Sequence, residues 1–224
     1  MLNPARAHKQ AALAAKAAEV DSLDNLEPYQ KLQMQLAKDK QLLKAIKGIP
    51  DKAVAKAEML PKYQVWLDQV LASRTAHKHD TVFVTAVLWM VDAGQIDRAV
   101  PYVEFAIEQQ MQVNDEYQRS LTDLMIEEIA AQITAGSNIT LANIEKIARL
   151  ITEKDQASGL HRLNIYDQVR AKYLKAAAEW HEEQGGGTHK QRALWLYEKA
   201  LQYNPRAGVK KRIEALSKQA QASQ

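Results

Sequence analysis

The chain reads as an all-α protein built from helical hairpins, and three observations predict it. Only 8 glycines and 6 prolines punctuate 224 residues, and Ala, Leu, Lys, Gln and Glu, all good helix formers, dominate the rest. Apolar residues recur at helical spacing over long stretches. Near the C-terminus, Ala193, Tyr197, Ala200 and Pro205 follow the spacing of the second helix of a tetratricopeptide (TPR) unit. The two alanines let a neighbouring helix pack close, and Tyr197 fills the gap between them. Pro205 ends the helix, because it has no backbone N–H and clashes with the preceding turn. A hairpin built for packing points to a binding or assembly protein before an enzyme.

Taken in order, residues 5–20 are Ala-rich and predict a weakly held helix that orders on binding. The next helix starts at Glu27-Pro28, where Pro28 suits a first turn. Tyr29, Leu32, Leu36, Leu43 and Ile46 recur at a/d spacing, with Asp39 interrupting one d position. That narrow stripe fits a long helical hairpin or coiled coil. Gly48-Ile49-Pro50 is a turn. A helix then runs from Asp51 to Ser73, with Met59, Leu60, Tyr63, Trp66, Leu67, Val70 and Leu71 on its buried face. Pro61 kinks or splits it.

Residues 80–93 are almost continuously apolar and β-branched. They are read as a buried helix capped by Asp80, because the run exceeds a typical strand and helical segments flank it. After the Ala93-Gly94-Gln95 turn, Gly94, Ala99 and Ala106 repeat the TPR-like spacing in degenerate form, with Val103 in place of the aromatic residue. Helices are expected over 118–135, 140–155, 162–184, 188–203 and 206–221. Two distant copies make no solenoid. The expected organisation is a basic N-terminal arm (1–22), a helical hairpin for oligomerisation and DNA contact (23–75), and an irregular TPR-like helical domain (76–224).

The net charge of +3 conceals segregation. Residues 1–62 carry 11 Lys/Arg against 7 Asp/Glu, residues 63–160 carry 7 against 14, and residues 161–224 carry 12 against 6. Basic ends around an acidic middle point to a polyanion partner for at least one end. Cysteine is absent, which excludes disulfides and thiolate metal sites. No apolar run reaches the length of a membrane span and the N-terminus lacks a signal-peptide core, so an intracellular, membrane-free protein is expected.

Catalytic patterns are thin. Asp115, Glu116, Asp123, Glu127 and Glu128 form the densest acidic group. Asp123 and Glu127 share a helix face, as two carboxylates of a metal-dependent nuclease would. No motif places a third carboxylate or a lysine, so a solvated helix face is the better reading. His161, His181 and His189 match no zinc-ligand spacing and read as surface histidines. Gly185-Gly186-Gly187-Thr188-His189-Lys190 follows a helix rather than a strand, so it is a flexible loop and not a Walker loop. No catalytic residue, metal or cofactor is expected.

The basic ends are the candidate binding sites. Lys40, Lys44 and Lys47 lie at i, i+4 and i+7, and Lys52 and Lys56 follow the turn after them. Arg6 and Lys9 add charge on the first helix. Such a patch binds phosphates without reading sequence. The rival group is Arg206, Lys210, Lys211 and Arg212. There Arg206 is expected at the positive end of a helix dipole, where a cation is disfavoured unless an anion joins it.

At this point the chain resembles the small terminase subunit of peduovirus-type tailed phages, collinearly from about residue 3 to residue 218. The resemblance is carried by Leu42-Leu43-Lys44-Ala45-Ile46, by Leu60-Pro61 with Trp66 and Val70-Leu71, and by Val87-Leu88-Trp89 with Asp92-Ala93-Gly94-Gln95-Ile96 and Ala99. Its strongest part is Arg206-Ala207-Gly208-Val209-Lys210-Lys211 with Ile213-Glu214. The resemblance implies DNA packaging in the host cytoplasm. A ring-forming homo-oligomer binds the packaging site on double-stranded phage DNA and hands it to a large subunit with ATPase and nuclease activity. Members also carry an endonuclease-subunit label, which no residue pattern here supports independently. Relatives with a long Lys/Arg-rich tail differ from this chain, which ends at Ala220-Gln221-Ala222-Ser223-Gln224.

Overall fold

Ten α-helices and one 3₁₀ turn make up the described residues of the computed structural model, which are 27–75, 77–113 and 120–222. No named strand occurs among them; one isolated bridge pairs Lys154 with His161. The fold is all-α. The chain divides between Lys47 and Gly48 into two compact units. The expected helix over 5–20 lies outside the described residues.

The described part of the first unit is α1 (Pro28–Ala45). Pro28 opens it as expected, and Glu27 and Gln30 form a reciprocal capping box, which satisfies N–H groups that a helix start leaves open. Leu36, Asp39 and Leu43 are its buried positions. Asp39 therefore does not break the stripe by facing water. It is buried and accepts a hydrogen bond from Gln35 Nε2 at 2.9 Å. Leu42 and Met34 are the exposed large apolar residues of α1.

The second unit begins with α2 (Ile49–Met59), the 3₁₀ turn Leu60–Lys62 and α3 (Gln64–Ser73). Pro61 splits the helix expected over 51–73, because its missing N–H and ring clash cannot continue an α ladder. Helix α4 (Thr81–Asp92) is capped by Asp80, whose side chain accepts from Phe83 N at 2.9 Å. Its β-branched run forms a helix because that helix is apolar almost all round. Val82, Phe83, Val84, Ala86, Val87, Trp89, Met90 and Val91 are all buried, against α2, α3, α5 (Ile96–Glu108) and α6 (Leu121–Thr134).

Helix α7 (Leu141–Thr152) has no side-chain cap from Thr140. Asp97 of α5 caps it from 43 residues away, accepting from Thr140 N at 3.0 Å, Thr140 Oγ1 at 3.0 Å and Asn143 Nδ2 at 2.7 Å. Burial alone would raise the Asp97 carboxyl, but these donors outweigh it and hold it below the usual carboxylate range. Helix α8 (Asp167–Gln184) packs on α6, on α7 and, most extensively, on α9 (Gly186–Tyr203). Small side chains favour close approach, and Ala176, Ala177 and Ala178 of α8 and Ala193 and Ala200 of α9 are all buried.

Two boundaries depart from expectation in this hairpin. Helix α8 starts at Asp167 rather than near residue 162, because buried Arg170 donates to the carbonyls of Ile151 and Leu163 and pins the incoming segment as non-helical chain. The glycine run is not a flexible loop. Gly185 alone joins the two helices, at φ +69°, and α9 begins at Gly186. A left-handed φ is what glycine supplies without steric penalty.

Candidate nucleic-acid interface

The most defined cationic feature of the second unit is the turn leading into α10 (Lys210–Ala222). Helix α9 ends at Tyr203, and Asn204 Oδ1 accepts from Arg206 N at 2.9 Å. Gly208 takes φ +76°. Val209, 1% exposed, plants the turn in the core, and Leu216 anchors the helix that follows. Arg206 therefore sits in the turn, not in a first helical turn as expected. Lys210, Lys211 and Arg212 occupy that place instead, with no acidic residue among them. All four cations are exposed. Arg212 reaches Glu182 of α8 at 3.6 Å. Arg206, Lys210 and Lys211 have no ion-pair partner among the described residues. Like charges crowded at the positive end of a helix dipole raise the local potential, and an external anion relieves it.

The lysines around the Gly48 turn are placed differently from one another. In the first unit Lys40 and Lys44 are exposed on α1, while Lys47 is exposed beyond the end of α1 at Ala45, so i+7 helical spacing does not extend to it. In the second unit Lys52 is half-buried on α2, and Lys56 is ion-paired to Asp92 at the end of α4. Lys56 thus has a local structural partner. Arg6 and Lys9 lie outside the described residues.

Residues 33–158 match the phage small terminase subunit family, a span of more than half the chain. The chain belongs to the phage small terminase subunit family. It is similar over almost its whole length to the "Terminase, endonuclease subunit" of Escherichia phage P2, with 28% identity over 221 residues, covering 98% of this chain and 86% of the relative. No solved structure matches.

Asp123 is not on a solvated face. It is 3% exposed at the start of α6, where it accepts from Ser120 Oγ at 2.6 Å and from Tyr166 N at 3.0 Å. Ser120 in turn caps the helix by accepting from Asp123 N at 3.1 Å. Both oxygens of Asp123 are engaged, one by the N-cap residue of its own helix and one by the backbone just before α8. Glu127 pairs with Lys172 of α8 at 3.2 Å, and Glu128 accepts from Gln132. Asp115 and Glu116 lie outside the described residues. Among the described residues, no three His, Cys, Asp or Glu side chains converge in a way that could hold a metal ion. No helix of the described residues is long and apolar enough to cross a membrane.

The histidines also differ from expectation. His181 is 2% exposed and joins three helices: its Nε2 donates to Glu145 of α7 at 3.0 Å, and its Nδ1 faces His189 Nδ1 of α9 at 2.8 Å. Burial lowers the His181 imidazole below its ordinary value, against the pull of Glu145. Glu145 is also gripped by Arg192 of α9 through Nε at 2.8 Å and a terminal nitrogen at 2.5 Å. Burial works to raise the Glu145 carboxyl, and the Arg192 and His181 contacts outweigh it and hold it below the usual range. His161 Nε2 meets the Tyr203 hydroxyl at 2.7 Å. Sequence spacing missed these groups, since their partners come from other helices.

Proposed function

We propose that this chain is the DNA-recognition and assembly subunit of a phage terminase. In this reading it binds the packaging site on double-stranded phage DNA in the host cytoplasm as a homo-oligomer, in ring form, and passes the DNA to the large ATPase and nuclease subunit. The observation that carries the reading is the family match over residues 33–158. The cationic turn is consistent with it.

Within this reading, Arg206, Lys210 and Lys211 are the principal phosphate contacts of the second unit, because they are exposed, close in sequence and seated on a buried anchor at Val209. Lys40, Lys44, Lys47 and Lys52 supply secondary contacts, and Lys56 contributes least because Asp92 neutralises it. Repetition of weak, screened contacts around an oligomer raises effective concentration and steepens salt dependence. The assembly surface on α1 centres on Met34 and Leu42, which are 39% and 58% exposed, rather than on buried Leu36 and Leu43. Native mass measurement with and without duplex DNA, combined with binding across salt concentrations, tests the reading. A strictly monomeric protein with salt-independent or absent DNA binding overturns it.

A second reading, a metal-dependent endonuclease subunit, is favoured by the name of the phage P2 relative, "Terminase, endonuclease subunit". Purified chain with magnesium or manganese decides it: reproducible duplex cleavage supports the second reading, and its absence the first. A TPR-like adaptor without nucleic acid is the outcome if the chain associates with proteins but never with DNA.

A further inference from the structure

Trp195 is the exposed member of the chain's four tryptophans, at 37%. A lone exposed apolar residue means little. The setting of this one is more specific. The Arg192 guanidinium lies over its ring at 4.2 Å from the centroid, and Lys199 Nζ approaches to 5.6 Å. Arg192 is held in place from the far side by both oxygens of Glu145, which is itself held by His181. The three-helix cluster that spacing alone did not reveal therefore ends, at the surface, in a fixed guanidinium on an indole. A guanidinium this close to a ring centroid orders a cation and an aromatic side chain before any partner arrives.

Along the chain, α9 leads from Trp195 to the cationic turn. Lys199 stands one helical turn beyond Trp195 and donates to exposed Gln202 at 3.1 Å. Helix α9 then ends at Tyr203, three residues before Arg206. From Trp195 to that end is about 12 Å along the axis at 1.5 Å per residue, or between three and four base-pair rises of roughly 3.4 Å. Glu198 is the one acidic side chain between Trp195 and Lys211 in the sequence, against Lys199, Arg206, Lys210 and Lys211. An aromatic residue interleaved with cations is complementary to a polyanion that carries apolar sugar and base-edge surface between its phosphates, which a DNA duplex presents.

We infer that Trp195 is an aromatic DNA contact, which extends the cationic turn along α9 and gives the DNA surface a component that does not depend on charge. This rests on the proposal that the chain binds duplex DNA. Arg192 is a positioning residue for Trp195, with its own charge largely answered by Glu145.

The test uses the full chain and a duplex carrying phage DNA, comparing Trp195→Ala, Trp195→Phe and the triple variant Arg206→Gln/Lys210→Gln/Lys211→Gln. Substituting Trp195 leaves the buried residues Ala193, Tyr197 and Ala200 in place, so helix content and oligomeric state are expected to hold. Trp195→Ala is expected to weaken binding by about 10-fold, the scale for losing the partial burial of one large apolar side chain, with the salt slope unchanged. Trp195→Phe recovers most of the loss. The triple variant instead flattens the salt slope. If Trp195→Ala binds within twofold of wild type while the triple variant is weakened, the inference fails and the DNA-binding proposal stands; the indole then serves a protein partner. If wild-type chain does not bind duplex DNA at any salt concentration, the parent proposal fails first and the inference with it.

Discussion

Neutralising the cationic turn gives the sharpest test of where this protein meets DNA. The perturbation is Arg206→Gln with Lys210→Gln and Lys211→Gln, leaving Arg212 in its 3.6 Å contact with Glu182 and leaving Val209 and Leu216 in the core. None of the three substituted residues has an ion-pair partner among the described residues, so stability is expected to change little. Removing like charges from the first turn of α10 relieves a mild dipole penalty. Each phosphate contact contributes about 0.9 to the slope of log affinity against log salt, so three contacts contribute about 2.7 for each engaged subunit. Over a fourfold rise in salt, from about 50 to about 200 mM, wild type should lose roughly 40-fold more affinity than the variant for each engaged subunit. Fluorescence anisotropy across that range, with native mass to confirm an unchanged oligomer, measures the difference. An unchanged slope in this variant, together with lost binding when Lys40, Lys44 and Lys47 are neutralised, would refute the placement and move the DNA to the N-terminal unit.

Other expectations follow from the same geometry. Asp123→Ala removes the acceptor for Tyr166 N and Ser120 Oγ and should cost about 2–3 kcal/mol in urea unfolding, the scale for losing hydrogen bonds to a buried charged acceptor; a loss under about 0.5 kcal/mol, the range of an ordinary surface substitution, would contradict its buried structural role. Asp97 has a depressed folded-state pKa, so its contribution to stability is present above the unfolded value of about 3.9 and is lost as pH falls through the folded value below it. Asp97→Asn should therefore be less stable than wild type near neutrality, with the gap narrowing below about pH 4; a gap that stays constant into acid would show that the carboxylate charge is not what caps α7. Leu42→Asp on α1 should shift native mass toward monomer with helix content retained, and an intact oligomer would remove Leu42 from the assembly surface.

Much of the helical architecture was legible in the chain because the relevant signals are local. Pro28 opens α1, Pro61 splits α2 from α3, and Asp80 caps α4 within three residues of itself. The apolar run of α4 resolved as helix once its length was weighed against its β-branched composition. Ala193 and Ala200, singled out by their spacing, are both buried. The candidate interface was only half legible. Clustering of cations shows in sequence, whereas the ion pair that occupies Lys56 spans 36 residues and has no sequence signature.

By itself, then, the sequence determined the helix starts and breaks at Pro28, Pro61 and Asp80, since a proline or a cap acts within one turn of the backbone, whereas the starts of α8 and α10 and the one-residue joint at Gly185 came only with the structure. Only the tertiary structure decided which polar groups are engaged. Asp97 caps a helix 43 residues away, Asp123 holds an amide equally distant, and Glu145 binds His181 and Arg192 across 36 and 47 residues. A carboxylate carries the same charge in a surface patch and in a buried cap. What separates the two is the set of donors that packing brings within 3 Å of it, and helical periodicity carries no record of that set.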